Sequence, residues 1–327
     1  MIEKAKKDLD RPVAVWTGED NIEGILPTLT MILRTKGCFW AKKSGCYMCG
    51  FFADSSEDVK EEDILKQFDF AMNNAKTKDK EIEAVKIYTS GSFLDKREIS
   101  RNVREKIVKE LSDRSIKKVI VESRPEFITE ENLSSLEEKF IVAIGLETSN
   151  DYIRDKFINK GTKFEDYVKS CDLIHSFGLQ VKTYLLLKPL FLTERDAILD
   201  TINSASDCES YSDYISINPC DVQRNTFLEK IWFKRGYRPP WLWSCIEVLR
   251  ELSNKLKKPV QMDPVGAGNR RGPHNCGRCD RQIARAIKDF SLHQDSSLLE
   301  DLDCDCKEVW REVLEIEEYT FGSPIIM

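Results

Sequence analysis

Three cysteines between Leu29 and Asp54 constrain this chain more than any other feature: Cys38, Cys46 and Cys49 form a C-x7-C-x2-C set. They follow the apolar residues Leu29, Met31, Ile32 and Leu33, so the thiols fall in a loop just past a strand end. Three clustered thiols point to a metal. They are one short of a closed zinc site or a fully ligated iron–sulfur cluster, and no further Cys or His occurs before Cys171. On a four-iron cluster, three irons would be tied down and the fourth left open to a ligand. A structural zinc loop, or free cysteines in a core, remain as alternatives on spacing alone.

A chain of 327 residues with 41% hydrophobic content can bury a full core, and its length suits one large α/β domain plus an appendage. No apolar run approaches the length that spans a bilayer, and the first residues, MIEKAKKDLDRP, hold no apolar signal core. The expected location is the cytoplasm, with no membrane partner. In a reducing compartment clustered thiols are more often metal ligands than disulfides. The eleven cysteines are clustered: three between Cys38 and Cys49, and four between Cys276 and Cys306. Cys171, Cys208, Cys220 and Cys245 are scattered and read as buried free thiols. A net charge of −6 argues against a uniformly basic nucleic-acid binder but leaves room for a local patch. With 32% charged residues, runs such as Ser56 to Lys66 read as solvated helix faces.

Past the thiols, Ile64, Phe68 and Met72 predict a helix over 58–78, and Glu81 to Thr89 predicts a strand ending at Ser90-Gly91-Ser92. The alternation continues. Val103, Ile107 and Leu111 make a helix face; Val119 to Val121 and Ile141 to Ile144 read as strands, the second ending at Gly145-Leu146-Glu147-Thr148. A helix with Tyr167 and Ile174 leads to a strand over Val181 to Leu187, and one near Ala197 to Ala205 leads to a strand over Tyr214 to Ile217. Six such strand–helix units predict parallel strands and an α/β fold, a partial (β/α)6 TIM-like barrel with its chemistry at the C-terminal strand ends. The expected division is 1–28 as an N-terminal extension, 29–225 as the partial barrel, and 226–327 as a C-terminal metal-binding extension.

Polar or glycine residues stand where strands end: Ser90, Gly91 and Ser92; Glu122 and Arg124; Glu147; Lys188; Asn218. These are the candidate ligand-binding residues, Arg124 as a fork for a carboxylate. Each alone reads equally well as a salt bridge or a cap. In the extension, Cys276-x2-Cys279 and Cys304-x-Cys306 give two short-spaced pairs, most simply a structural zinc site, with His274 as an alternate ligand and an auxiliary iron–sulfur cluster as the chemical alternative. Lys230, Lys234, Arg235 and Arg238 interleave with Trp232, Phe233, Tyr237, Trp241 and Trp243, and Arg270, Arg271, Arg278, Arg281 and Arg285 surround the cysteine pairs. Basic groups hold phosphates and aromatics stack on unpaired bases, so Lys234, Arg235, Arg238, Arg270 and Arg271 are the candidate RNA-binding residues; core packing is the plainer reading for three of the five aromatics.

The C-x7-C-x2-C set resembles the radical-SAM superfamily in a lengthened-loop version, with Met48 where an aromatic usually precedes the last cysteine and Tyr47 one place earlier. The words YTSGSFLD, VESRPEFI, IGLETSND, YLLLKP, INPCDVQR, YRPPWLWS and DPVGAGNRRGPHNCGRCD resemble one branch, the archaeosine synthase radical-SAM subunits, and VESRP resembles the related Elongator catalytic subunit domain. The resemblance implies a [4Fe–4S] cluster on Cys38, Cys46 and Cys49, with S-adenosylmethionine (SAM) on its open iron and along Ser90 to Ser92, Glu122, Arg124, Glu147, Lys188 and Asn218. The usual Gly-Gly-Glu at the second strand end is absent here. The resemblance also implies a tRNA substrate carrying lysine-modified 7-cyano-7-deazaguanosine in its D-loop, a partner subunit that transfers the lysine, and a reducing electron donor. The 5′-deoxyadenosyl radical would take hydrogen from the lysine carbon beside the amidine nitrogen, and C–N cleavage would leave archaeosine.

Overall fold

A computed structural model describes residues 8–73 and 81–320. Its strands are β1 (Ala14–Asn21), β2 (Ile25–Ile32), β3 (Ala84–Tyr88), β4 (Lys118–Glu122), β5 (Phe140–Glu147), β6 (Gln180–Leu187), β7 (Tyr214–Pro219) and β8 (Val260–Met262). The chain divides into two compact units, the first comprising residues 1–43, 51–144 and 169–180, the second 44–50, 145–168 and 181–327. The division falls inside β5 and β6.

In the first unit β1 and β2 form an antiparallel hairpin closed at Asn21↔Ile25, a turn that needs left-handed backbone at Glu23 (φ 54) and Gly24 (φ 121). From β2 the strands run parallel in chain order, with Leu29↔Val85, Val85↔Val119 and Val121↔Val142 in register. Their central residues are apolar without alternation, and Val119, Ile120 and Val121 are at most 1% exposed. That pattern belongs to parallel strands covered on both faces. The helix Arg101–Ser112 buries Val103, Ile107, Val108 and Leu111 at the predicted spacing. Arg104 is buried beside them and donates to the Leu94 carbonyl and Asn132 Oδ1.

In the second unit β6 pairs parallel with β7, and β7 with β8. The helices Leu242–Lys255 and Asp280–His293 cover them, burying Leu242, Trp243, Ile246 and Leu249 from one and Ile283, Ile287 and Phe290 from the other. All six strands expected from the sequence are present. The predicted helix over 58–78 is formed as Glu61–Met72; residues 74–78 of it lie outside the described residues.

Two strands were not anticipated. β1 lies within residues 1–28 and β8 within 226–327, so strand structure continues on both sides of the 29–225 segment. β1 reads AVWTGEDN and is half exposed, so it lacks the apolar run that marks the other strands. β8 is three residues long, too short for a periodicity to register. Among the described residues no helix is long and apolar enough to cross a membrane.

Thr193 caps the helix Glu194–Cys208 by accepting from the Asp196 N–H at 3.0 Å. Thr193→Ala should lower unfolding free energy by about 1 kcal/mol, read as a fall in urea midpoint at constant m-value.

Candidate cofactor and metal sites

Cys38 belongs to the first unit, and the turn after β3 closes around it. A Cβ on Gly91 would lie 2.7 Å from Cys38 Cα, 2.9 Å from Cys38 Cβ and 2.2 Å from Glu98 Oε1, so only glycine allows this approach. Glu98 fixes the turn: one carboxylate oxygen accepts from the Ser92 N–H at 2.7 Å and the other from Thr35 Oγ1 at 2.5 Å. Burial pushes the Glu98 carboxyl up to about 7, although the Thr35 and Ser92 hydrogen bonds pull it down. The Ser92 hydroxyl in turn accepts from the Arg124 N–H at 3.1 Å. Arg124 is buried, its fork paired with Glu126 (2.7 Å) and lying over the rings of Phe39 and Trp40, the residues next to Cys38. Glu122 ends β4 half-buried, and Ser90 lines a small cavity of about 90 Å³ with Arg34, Asp54 and Thr89.

Cys46 and Cys49 belong to the second unit and sit on one tight turn, with the Cys49 N–H donating to the Cys46 carbonyl at 3.2 Å. Neighbouring loops hold this turn by its backbone. Asn159, left-handed at φ 58, donates to the Gly45 carbonyl and to Ser44 Oγ; the Tyr47 N–H donates to the Ile158 carbonyl at 2.9 Å. From the other side the Leu228 N–H donates to the Tyr47 carbonyl, and the Gly50 N–H donates to Gln223 Oε1 at 2.6 Å. The Tyr47 ring packs on Phe227 at 5.0 Å.

The thiols divide into two kinds. Cys38, Cys46 and Cys49 are partly exposed and in no disulfide, as ligands to an external group must be. Cys171, Cys208, Cys220 and Cys245 are buried, as the sequence led one to expect, and burial holds the thiols of Cys208 and Cys220 up to about 12. The first three therefore have the donor chemistry for a metal cluster.

At the strand exits of the second unit, Glu147 and Lys188 both adopt left-handed backbone, φ 69 and φ 62, which a non-glycine residue rarely takes without a functional reason. Glu147 pairs with Lys160 at 2.6 Å and is 12% exposed. Asn218 is half-buried near the end of β7. Lys188, expected to contact the cofactor, is buried just past the end of β6. Its ammonium points inward onto Glu194, a fully buried carboxylate that also accepts from the Trp241 N–H at 2.7 Å and Ser244 Oγ at 2.5 Å. A lysine buried against its counter-ion cannot leave without stranding that charge.

The extension brings Cys276, Cys279, Cys304 and Cys306 together, with all four sulfurs within 4.8 Å of one another and the pairs Cys276–Cys304 and Cys279–Cys306 each at 3.7 Å. A single ion with metal–sulfur bonds near 2.3 Å holds four sulfurs about 3.8 Å apart. A cubane cluster spreads its thiolates further, because each binds a different iron. The group can hold one metal ion. Second-layer donors are in place: Asn275 Nδ2 lies 3.3 Å from the Cys279 sulfur and Trp243 Nε1 3.3 Å from that of Cys306. His274 is outside the set; its Nδ1 meets the Gly272 carbonyl at 2.8 Å.

Of the candidate RNA-binding residues, Lys234, Arg235 and Arg270 are exposed. Arg238 and Arg271 are half-buried. Arg238 lies over the Trp241 ring at 4.0 Å and donates to the carbonyls of Pro239 and His274. Arg271 pairs with Glu229, donates to the Val222 carbonyl and lies over Trp232. Trp241 and Trp243 are core and the Tyr237 hydroxyl donates inward to the Lys188 carbonyl, whereas Phe233 is 68% exposed. Glu98, Asp221, Gln223 and Asn275 carry these sites and were not singled out in the sequence. The only signals were the words YTSGSFLD, INPCDVQR and PHNCGRCD around them.

The radical SAM superfamily profile matches residues 32–202. The chain is 47% identical to archaeosine synthase subunit beta of Methanosarcina acetivorans, over 97% of this chain and 94% of that one. It is 43% identical to the protein of the same name from Thermococcus kodakarensis, over 92% and 96%. Among solved structures, methylornithine synthase overlays with a TM-score of 0.52 at 16% identity, covering 91% of this chain and 83% of that one, a likeness of fold alone.

Glu98 gives the site a pH signature. Its folded value near 7 exceeds the ordinary 4.5, so its neutral form stabilises the fold fully below about pH 4.5 and that contribution, about 3 kcal/mol, is lost as pH rises through about 7. Asp200, also pushed to about 7 by burial, acts in the same direction. Glu98→Gln should flatten part of the fall in urea midpoint across this window; an unchanged slope would mean Glu98 is already ionised in the fold.

Proposed function

The chain belongs to the radical SAM superfamily, and from that premise we infer that it is the radical-SAM component of a tRNA-modifying archaeosine synthase. The single observation that carries this reading is identity of 47% sustained over 97% of the chain to a protein named for that activity. On this reading the substrate is tRNA whose D-loop carries 7-cyano-7-deazaguanosine joined to lysine, prepared by a lysine-transferring partner subunit. The enzyme is a C–N lyase: it severs the lysine from the base and leaves the formamidine of archaeosine.

Cys38, Cys46 and Cys49 are the ligands assigned to a [4Fe–4S] cluster, on their spacing and their partly exposed thiols. Held there, a cluster together with SAM and a reducing electron donor would supply the 5′-deoxyadenosyl radical that this cleavage requires. The protein's own part is binding and orientation. Ser90, Gly91 and Ser92 offer a close backbone edge that Glu98 keeps in place; Glu122, Arg124, Glu147 and Asn218 are polar groups held at strand exits for the cofactor's carboxylate, ribose and amino functions. Arg124 would exchange Glu126 for a cofactor carboxylate, which its bidentate geometry suits. The four-cysteine group is assigned to zinc, on its sulfur spacing. Lys234 and Arg235 are exposed cations left for the tRNA backbone.

Anaerobic reconstitution with iron and sulfide, followed by assay on lysine-bearing tRNA, tests the reading. Wild-type protein should form 5′-deoxyadenosine, methionine and archaeosine together. SAM cleavage without archaeosine would point to another tRNA base or a small molecule; tRNA binding without SAM cleavage would point to a metal-dependent binding protein. Cys46→Ala should lose iron and SAM cleavage while its unfolding temperature stays within a few degrees of wild type. Cys276→Ser should lose zinc, measured by elemental analysis, and should unfold at lower temperature. Zinc retained in that variant, or iron and acid-labile sulfide at the four-cysteine site, would refute the zinc assignment.

A further inference from the structure

A cavity of about 370 Å³ in the second unit is lined by Asp221, Gly266, Asn269, Arg270, Arg271 and Gly272. Asp221 stands just past the end of β7, and Gly266 to Gly272 form the loop after β8, so the cavity opens at two C-terminal strand ends. In barrels of parallel strands that edge is where ligands bind.

The loop wall is built rather than slack. The Asn269 N–H donates to the Gly266 carbonyl and the Gly272 N–H to the Asn269 carbonyl, both at 3.0 Å, while the Val222 N–H donates to the Arg271 carbonyl at 2.7 Å. A Cβ on Gly272 would lie 2.2 Å from the Gly266 oxygen, so the loop closes only with glycine there. The other wall leads to the paired thiols. Gln223 donates to Asp221 Oδ1 at 3.2 Å through its amide nitrogen, and its oxygen accepts from the N–H of Gly50, the residue after Cys49. One side chain therefore links the cavity's carboxylate to the thiol turn.

The charges on the two walls are opposite. Arg271 is neutralised by Glu229 and fixed over Trp232. Arg270 has no partner among the described residues and is exposed at the loop tip. Asp221 stands on the other wall, accepting from Gln223 at Oδ1, and burial raises its carboxyl above the ordinary value. A site for phosphate would not place a carboxylate on its wall, and a site for a simple amine would not need the guanidinium. The pair suits a ligand that carries both charges a few bonds apart.

We propose that this cavity receives the α-ammonium and α-carboxylate of an amino acid, the ammonium on Asp221 and the carboxylate on Arg270. Resting on the function inferred above, that amino acid is the lysine of the modified nucleoside, whose two charged groups remain free at the end far from the bond to be cut. Recognition there would hold the lysine chain extended toward the thiol turn and would reject tRNA lacking it.

Three tRNA conjugates separate the contacts: lysine, cadaverine (no carboxylate) and 6-aminohexanoate (no α-amine), each joined to the base through the same terminal nitrogen. Arg270→Ala should raise KM by about tenfold for the lysine and 6-aminohexanoate conjugates and leave the cadaverine conjugate unchanged. Asp221→Asn should do the same for lysine and cadaverine but spare 6-aminohexanoate. An equal rise on all three conjugates would make Arg270 a phosphate contact and overturn the assignment, as would unchanged KM for lysine in either variant. Unfolding temperature and zinc content confirm that each variant is folded. If wild-type protein converts none of the conjugates, the inferred function fails, and free L-lysine becomes the probe. Saturable lysine binding weakened by both substitutions would uphold the pocket, and absence of binding would overturn it.

Discussion

Hydrogen bonds from rigid loops to the backbone of the Ser44–Gly50 turn are the constraint on which the second unit's chemistry depends. A turn carrying two thiols three residues apart has few side-chain contacts of its own, and thiols directed at a metal cannot also pack a core. Its placement must come from peptide groups. Asn159 and Ile158 hold it from the loop after β5, and Gln223 and Leu228 hold it from the segment after β7. Gln223 does this with a side chain that also donates to Asp221, so the thiol turn and the neighbouring cavity are coupled through one residue.

Cys38 is held in the first unit by different means, a close approach of backbone to backbone. Gly91 makes the approach possible and Glu98 keeps it, by accepting from Thr35 and from Ser92 in a place where ionisation is disfavoured. The two arrangements share a physical logic. A polar side chain buried beside a glycine-rich or left-handed turn fixes a backbone that would otherwise have many conformations. Lys188 and Glu194 apply the same logic to the exit of β6, where a buried ion pair ties a left-handed residue to the N-terminus of the helix Leu242–Lys255 through the Trp241 N–H and Ser244.

The four-cysteine group differs from the first three thiols in what its geometry permits. Two of its sulfur pairs are already at the spacing one tetrahedral ion requires and all four lie within 4.8 Å, with amide and indole N–H groups behind two of them. Asp280 accepts from the N–H groups of Asn275 and Gly277 and so braces the first cysteine pair from within. The same stretch runs back through Asn275 and His274 to the glycine loop that walls the charged cavity. A metal at this site would stiffen a wall of that cavity without taking part in any reaction there.

Much of the fold was legible in the sequence because parallel strands buried on both faces are written as unbroken apolar runs, and their helices as apolar residues at a spacing of three or four; Val119 to Val121 and Val103, Ile107 and Leu111 are read off directly. Cysteine spacing likewise announced the four-cysteine group, since ligands to one ion must recur at short intervals on turns. β1 and β8 escaped because one is half solvated and the other too short to show a period. Which charges are free was not legible at all. Arg270 and Arg271 are adjacent and identical in kind, yet one is exposed and the other is paired with Glu229 and stacked on Trp232, forty residues away in sequence. Lys188 and Glu147 share a strand-end position, yet one is buried on Glu194 and the other is only partly buried, with Lys160. Local sequence sets what a residue can do through short-range periodicity and ligand type; whether it is left available depends on partners brought near only when distant segments pack, and that is a property of the tertiary structure.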